Sequence, residues 1–301
     1  MIAGTYRKRA GRALLTAAVV SASVVGIGVF AVLAGWQAFT HLATAVVGAC
    51  LRVWALLPGA FQVMLGISVA IGFVSGGLWL LSAGKQWRRT TASLRSLHRK
   101  AVDPPPRIHA LLVKHKLDQQ VKIFRDGRPR ALTTGLITPR IMVSTGLIEA
   151  LENDELEAVL LHEQSHVRHK DPFYLLLAGA LTTAFFYVAA VSALVRRYQA
   201  AMELAADEDV IATQGESLSL SSAMVKLLRA RPSAASATPF TGAADLRLAY
   251  LLGRDVDLPG VTRQAVLQGA AVVVITIAPV AAIHGLAAAL NQAAFLSRCA
   301  V

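Results

Sequence analysis

The sequence predicts a mostly α integral membrane protein carrying one small α+β domain. Three observations predict it. Hydrophobic residues make up 55% of the 301 and charged residues only 16%, too little charge to cover a water-soluble domain of that length. Uncharged runs long enough to cross a bilayer, for which a helix needs about 20 apolar residues, recur at 13–36, 59–83 and 265–290. Between 84 and 162 the composition turns polar, with short β-type runs bounded by turn residues.

Taken in order, Ala13 to Trp36 follows Arg7, Lys8, Arg9 and Arg12. It reads as a retained anchor, because no small-x-small cleavage site with a polar follow-on succeeds it. Residues 42–57 are apolar but contain Arg52 and stop at Pro58–Gly59. A crossing there would place the basic stretch 85–100 on the opposite side from Arg7 to Arg12, against the positive-inside rule. The stretch therefore reads as an outer interfacial helix joining two spans. The expected organisation is an N-terminal membrane hairpin over 1–83, a cytoplasmic domain over 84–262, and a C-terminal span with a short outer tail over 263–301. The net charge of +12 sits beside the apolar runs. It is assigned to the bilayer surface, and no direct nucleic-acid partner is expected.

Residues 173–195 carry no charge and would extend about 35 Å as one helix. Arg168 to Lys170 precede them and Arg196–Arg197 follow. Both ends call for the cytoplasmic side, which one crossing cannot satisfy. A re-entrant pair of short helices, or a helix buried against protein, satisfies it. About three full spans plus this segment are expected.

Within the middle domain, Asp103 to Pro106 ("DPPP") breaks helix and marks the entrance. Arg107 to Leu117 reads as a short helix, Val121 to Phe124 and Arg140 to Ser144 as strands, and "DGRP" as a turn. Asn153 is placed to cap a helix over "DELEAVLLHEQSHV", whose first turn holds Asp154, Glu155 and Glu157. Leu156, Val159 and Leu160 supply its apolar side.

His162 and His166 lie four residues apart on that helix, about 40° apart around its axis, so both can reach one ion. Glu163 follows the first histidine and is placed to take a proton from a metal-bound water during attack on an amide carbonyl. A third protein ligand is needed. Downstream, "MELAADEDV" puts Glu203 and Asp207 on one helix face. Glu203 is the candidate third ligand, and Asp207 a carboxylate that fixes a ligand imidazole's tautomer. His169 points about 300° away from His166 and is set aside.

The stretch "TGLITPRIMVSTGLIEALENDELEAVLLHEQSHVRHKDP", followed by "ELAADEDV", resembles the BlaR/MecR-type membrane metallopeptidases. More distantly it resembles the HtpX and CAAX-prenyl-protease membrane gluzincins. The resemblance covers about residues 130–210. It implies a zincin (gluzincin) domain with one Zn2+ per chain held by His162, His166 and Glu203, and Glu163 as catalytic base. It also implies that the strand around Ile141, Met142 and Val143 is the edge along which an extended substrate pairs. Arg247 and Tyr250 are candidates for stabilising the transition state. Only residues 291–301 follow the last apolar run, so the sensor-less form is the expected one.

What the resemblance implies is a zinc endopeptidase of the bacterial inner membrane, multi-pass, with the N-terminus and active site cytoplasmic and the C-terminus outside. Its substrate would be a cytoplasmic or membrane-proximal protein, a transcriptional repressor among the candidates. HtpX-like quality control of membrane proteins is the alternative within the enzyme class. A non-proteolytic sensor or scaffold with a zincin fold is the alternative outside it. Three further features stand apart from the site: a self-cleavage loop at Arg229 to Phe240, a disulfide between Cys50 and Cys299 on the outer side, and His284 near a span's outer end.

Overall fold

A computed structural model describes residues 5–41, 59–230 and 240–275. Its helices are α1 (Thr5–His41), α2 (Gly59–His98), α3 (Pro106–Lys114), α4 (Thr145–Ala150), α5 (Asn153–His169), α6 (Asp171–Ala184), α7 (Ala189–Gln214), α8 (Leu218–Arg229) and α9 (Phe240–Leu251). A further helical stretch covers 263–275. Four short strands, β1 (Ala101–Val102), β2 (Val121–Phe124), β3 (Ala131–Thr134) and β4 (Arg140–Ser144), form one sheet in the order β1-β2-β4-β3. The chain divides into two compact units. One comprises Met1–Leu15, Leu81–Ala180 and Ala193–Gly260, the other Thr16–Leu80, Leu181–Ser192 and Val261–Val301.

The first unit is built on the sheet. β2 and β4 run parallel, with Val121 opposite Ile141 and Ile123 opposite Val143. These four side chains share one face of the pleat, where alternate residues must point the same way. They are buried against Ile108 and Leu112 of α3, Leu147 of α4, and Leu156, Val159 and Leu160 of α5. Arg107 ties this layer together, its Nε donating to Asn153 Oδ1 at 2.8 Å and its Nη1 to the Ile148 carbonyl at 2.7 Å. The α5 cap lies one residue earlier than the sequence suggests. Glu152 is the N-cap residue, and its N–H donates to Glu155 Oε2 at 2.8 Å, the returning half of a capping box.

In the second unit Phe185, Val188 and Val191 are buried with Ala184, Ala190 and Ala265, and Trp79, Tyr187 and Val20 pack against them. Ser75 and Tyr187 share a hydroxyl hydrogen bond of 2.7 Å.

One expectation is corrected. Among the described residues no helix is long and apolar enough to cross a membrane, against the three full spans read from 13–36, 59–83 and 265–290. α1 and α2 are 37 and 40 residues long, and each carries a charged end. Arg7, Lys8, Arg9 and Arg12 open α1, and Lys85, Arg88, Arg89 and Arg95 occupy the end of α2. Residues 173–195 divide between two helices, a turn at 185–187 separating α6 from α7, in keeping with the pair of helices that is one of the two arrangements expected there. The outer helix at 42–57, the tail beyond 275 with His284, residues 231–239 of the loop, and both Cys50 and Cys299 lie outside the described residues.

Candidate metal centre

Helix α5 carries His162 and His166 on successive turns, and both are buried. Their Nε2 atoms face each other at 3.1 Å. From α7, Glu203 brings Oε2 to 3.5 Å from His162 Nε2 and Oε1 to 3.9 Å from His166 Nε2. Among the described residues these three form the one group of His, Cys, Asp or Glu side chains whose candidate ligand atoms all lie within 4.8 Å.

Each imidazole is oriented from behind. His162 Nδ1 lies 3.0 Å from Asp207 Oδ1, and His166 Nδ1 lies 2.7 Å from Asp171 Oδ2. With both Nδ1–H groups donated to carboxylates, both Nε2 atoms present lone pairs. Two lone pairs at 3.1 Å repel unless a proton or a metal ion lies between them. The same demand for positive charge shows in the His162 ring. Burial and the Arg247 charge pull its pKa down, yet hydrogen bonding to Asp207 and Glu203 raises it to about 9. Two imidazoles and a carboxylate, each supported by a further partner, form a donor set that fits a zinc-type ion.

Arg247, on α9, lies across the carboxylates. Its Nε donates to Asp207 Oδ2 at 2.8 Å, its Nη2 to Asp207 Oδ1 at 2.7 Å, and its Nη1 to Glu203 Oε2 at 2.9 Å. Burial alone would push Glu203 and Asp207 up. The Arg247 charge and the hydrogen bonds with His162 outweigh it and hold both well below the usual carboxylate range.

Glu163 faces the other way, towards β3. Thr133 Oγ1 lies 2.6 Å from Glu163 Oε2 and 3.1 Å from the Glu163 carbonyl, either of which can accept its proton. A cavity of about 380 Å3 opens here, lined by Thr133, Glu163 and the metal-site residues, with Leu220, Met224 and Leu228 among its apolar lining residues.

The structure brings together His162, Glu163, His166, Glu203, Asp207 and Arg247. It leaves out the substrate strand 141–143 and Tyr250. β4 lies between β2 and β3, with backbone partners on both sides and Ile141, Met142 and Val143 buried. The edge beside the site is β3. Tyr250, about 300° around α9 from Arg247, packs edge-on against Tyr6 with centroids 5.4 Å apart. His169, set aside from helical geometry, turns its Nδ1 back onto the Ser165 carbonyl at 2.8 Å and away from the site. Sequence reasoning missed Thr133, because "ALTT" has no clear alternation, and it missed Asp171. The only signal for Asp171 was its place just past the helix, where Lys170 adopts the left-handed conformation that turns the chain back (φ 56°).

A helix presenting His-Glu-x-x-His, a glutamate from a later helix and a sheet edge beside them define a metallopeptidase-type site. A family model described as BlaR1 peptidase M56 matches residues 57–251, more than half of the chain, and the chain belongs to that family. It is also similar to proteins named Protease HtpX homolog. The one from Thermoplasma acidophilum is 48% identical over 70 residues, covering 23% of this chain and 22% of that protein. The one from Bordetella petrii is 32% identical over 145 residues, covering 44% and 47% respectively. The Methanosarcina mazei protein named Protease HtpX homolog 2 is 42% identical over 71 residues, covering 23% and 24%. The chain therefore spans less than half the length of each of these relatives.

Proposed function

We propose that this protein is a membrane-associated zinc endopeptidase that hydrolyses peptide bonds of a cytoplasmic or membrane-proximal protein. The observation that carries the reading is the pair of Nε2 atoms 3.1 Å apart, each imidazole anchored through Nδ1 to its own carboxylate, with Glu203 alongside. When bound there, the ion supplies Lewis acidity, lowering the pKa of a water and polarising a carbonyl. His162, His166 and Glu203 would hold it. Glu163 is the general base, and the Thr133 hydroxyl keeps its carboxylate directed at the cavity. β3, an edge strand of the sheet among the described residues, offers backbone groups to an extended peptide, which fixes the scissile bond over the site.

Membrane association is supported by the exposed apolar side chains of α2, among them Ile67, Phe73, Val74, Leu80 and Leu81. In our reading the site faces the cytoplasm, since Arg7, Lys8, Arg9 and Arg12 lie in the same unit as the metal centre. Membership of the BlaR1 family supports a regulatory substrate such as a repressor. Similarity to Protease HtpX supports a second reading, removal of damaged membrane proteins.

The test uses the full chain in detergent, with zinc content and proteolysis measured for wild type and Glu163→Ala. One zinc per chain in both, with cleavage of candidate substrates in wild type alone, is expected. Zinc retention without any Glu163-dependent cleavage would replace the enzyme with a scaffold.

A further inference from the structure

We propose that Arg7 of α1 is a positioning residue for the metal ligand His166, acting through Asp171. The inference rests on the metal-centre reading above and extends it to a residue far away in sequence. Arg7 Nη1 donates to Asp171 Oδ1 at 3.1 Å and Oδ2 at 3.2 Å, and Asp171 Oδ2 in turn lies 2.7 Å from His166 Nδ1. The other arm, Nη2, donates to Ser165 Oγ at 2.9 Å, and that hydroxyl donates to Asp209 Oδ2 at 2.6 Å. Asp171 opens α6, Ser165 lies on α5 between the two histidines, and Asp209 lies on α7 beyond Glu203. One guanidinium therefore braces all three helices around the ligand set.

The geometry suits a positioning role. Asp171 is nearly fully buried, with only 4% of its side chain exposed. A buried carboxylate shared between an imidazole N–H and a forked guanidinium has little freedom to rotate. Without Arg7, Asp171 would keep a single strong partner, and the angle at which it holds the His166 ring would loosen. Lys cannot replace the fork, because an ammonium is one point of charge and cannot reach Asp171 and Ser165 in fixed directions.

Arg7→Gln, Arg7→Lys, Asp171→Asn, the Arg7→Gln/Asp171→Asn double variant and Lys8→Gln are compared as full chains in detergent. Zn2+ affinity is read by competition with a chelating indicator, and the visible bands of the Co2+-loaded protein are recorded. Lys8 is exposed and serves as the charge control. The expected result is a Zn2+ affinity about tenfold weaker in Arg7→Gln, partial recovery in Arg7→Lys, and no change in Lys8→Gln. The double variant is no weaker than Asp171→Asn alone, and the Co2+ bands shift in Arg7→Gln only among the Arg7→Gln and Lys8→Gln pair. Wild-type affinity in Arg7→Gln, an equal loss in Lys8→Gln, or additive losses in the double variant would overturn the positioning role while leaving the metal centre standing. A wild type that takes up no Zn2+ would overturn the metal centre itself, and this proposal with it.

Discussion

Arg247 and Asp207 meet as a fork on a carboxylate: Nε to Oδ2 at 2.8 Å and Nη2 to Oδ1 at 2.7 Å. Asp207 is fully buried, and Arg247 is 13% exposed at its side chain. The third arm of the same guanidinium reaches Glu203. Glu203 of the ligand set and Asp207 behind His162 are two buried carboxylates, and Arg247 is the fixed counter-charge that reaches both.

Removing that counter-charge leaves two buried carboxylates facing each other. Arg247→Ala should therefore destabilise the metal-free chain by about 3 kcal/mol, the scale for breaking a buried ion pair from one side. Saturating zinc should shrink this penalty, because the ion restores positive charge next to Glu203. Thermal unfolding of wild type and variant, with chelator and with zinc, checks both parts. An equal penalty under the two conditions would show that Arg247 acts by packing alone.

Asp207 sets the tautomer of His162 by accepting from Nδ1 at 3.0 Å. In Asp207→Asn the amide can present N–H to that nitrogen, which moves the ring proton to Nε2 and blocks the ligand lone pair. The expected loss is about 10- to 100-fold in zinc affinity. Glu163 is untouched by this change, so activity should return when zinc is raised to saturation. Activity that stays low at saturating zinc would assign Asp207 a role beyond holding the ring.

Much of this site was legible because helical spacing is rigid. His162, Glu163 and His166 needed only 3.6-residue periodicity, and "ELAADEDV" placed Glu203 and Asp207 on one face by the same arithmetic. The buried strands β2 and β4 were legible from their short β-branched runs. What lay outside the reach of local pattern was pairing order. A sheet in the order β1-β2-β4-β3 puts the later strand inside and β3 at the edge, and nothing in "RIMVS" or "ALTT" says which is which. Arg7 and Asp171 are likewise brought together by tertiary packing across 164 positions. The spans were read from apolar length alone, and among the described residues no helix meets that reading.

Glu155 supplies a pH dependence away from the metal. Burial pushes its carboxyl up, but hydrogen bonds from Lys226, Ser222 and the Glu152 N–H outweigh that and hold it below its ordinary value of 4.5. A carboxyl lowered in the folded state contributes stability that is fully present above 4.5 and lost as pH falls through the folded value. Glu155→Gln should unfold earlier than wild type at pH 7 by about 1 kcal/mol, because a neutral amide weakens the charge-assisted bonds from Lys226 and Ser222 while keeping the one from the Glu152 N–H. The gap should narrow as pH falls below 4.5 through the folded value, because wild type then becomes protonated too. Denaturant midpoints at pH 7 and across the acid range test this, and a constant gap would refute it.

Gly146 shows how closely the β2–β3 turn rides on α4. A methyl at this position would strike the Gly127 carbonyl carbon and oxygen, both backbone atoms. The Gly146 N–H meanwhile donates to the Asp126 carbonyl at 2.9 Å, so the turn cannot move off without losing that bond. Gly146→Ala should cost about 1–3 kcal/mol, the range for overpacking. Gly84→Ala, with open space around the added carbon and higher helix propensity, should be neutral or slightly stabilising. Unfolding midpoints of the two variants should therefore move apart.

The end of α2 gives the membrane reading its own test. Lys85, Arg88, Arg89 and Arg95 are exposed and fall on one face of the helix, and no acidic residue occurs between Gly59 and His98. On the same helix Phe73, Val74, Leu80 and Leu81 are exposed and apolar. Apolar residues giving way to cations along one helix match the boundary between acyl chains and anionic head groups, where each basic residue contributes about 1 kcal/mol. In neutral-detergent micelles, added phosphatidylglycerol should raise the unfolding temperature of wild type, since it binds the folded chain. Phosphatidylcholine should not. Arg88→Gln/Arg89→Gln/Arg95→Gln should lose most of the phosphatidylglycerol effect, and raising the salt to about 1 M should abolish it in wild type, because exposed charges are then screened within about 3 Å. A shift that phosphatidylcholine reproduces, or that survives the triple substitution, would mean that the cationic face of α2 does not contact lipid head groups.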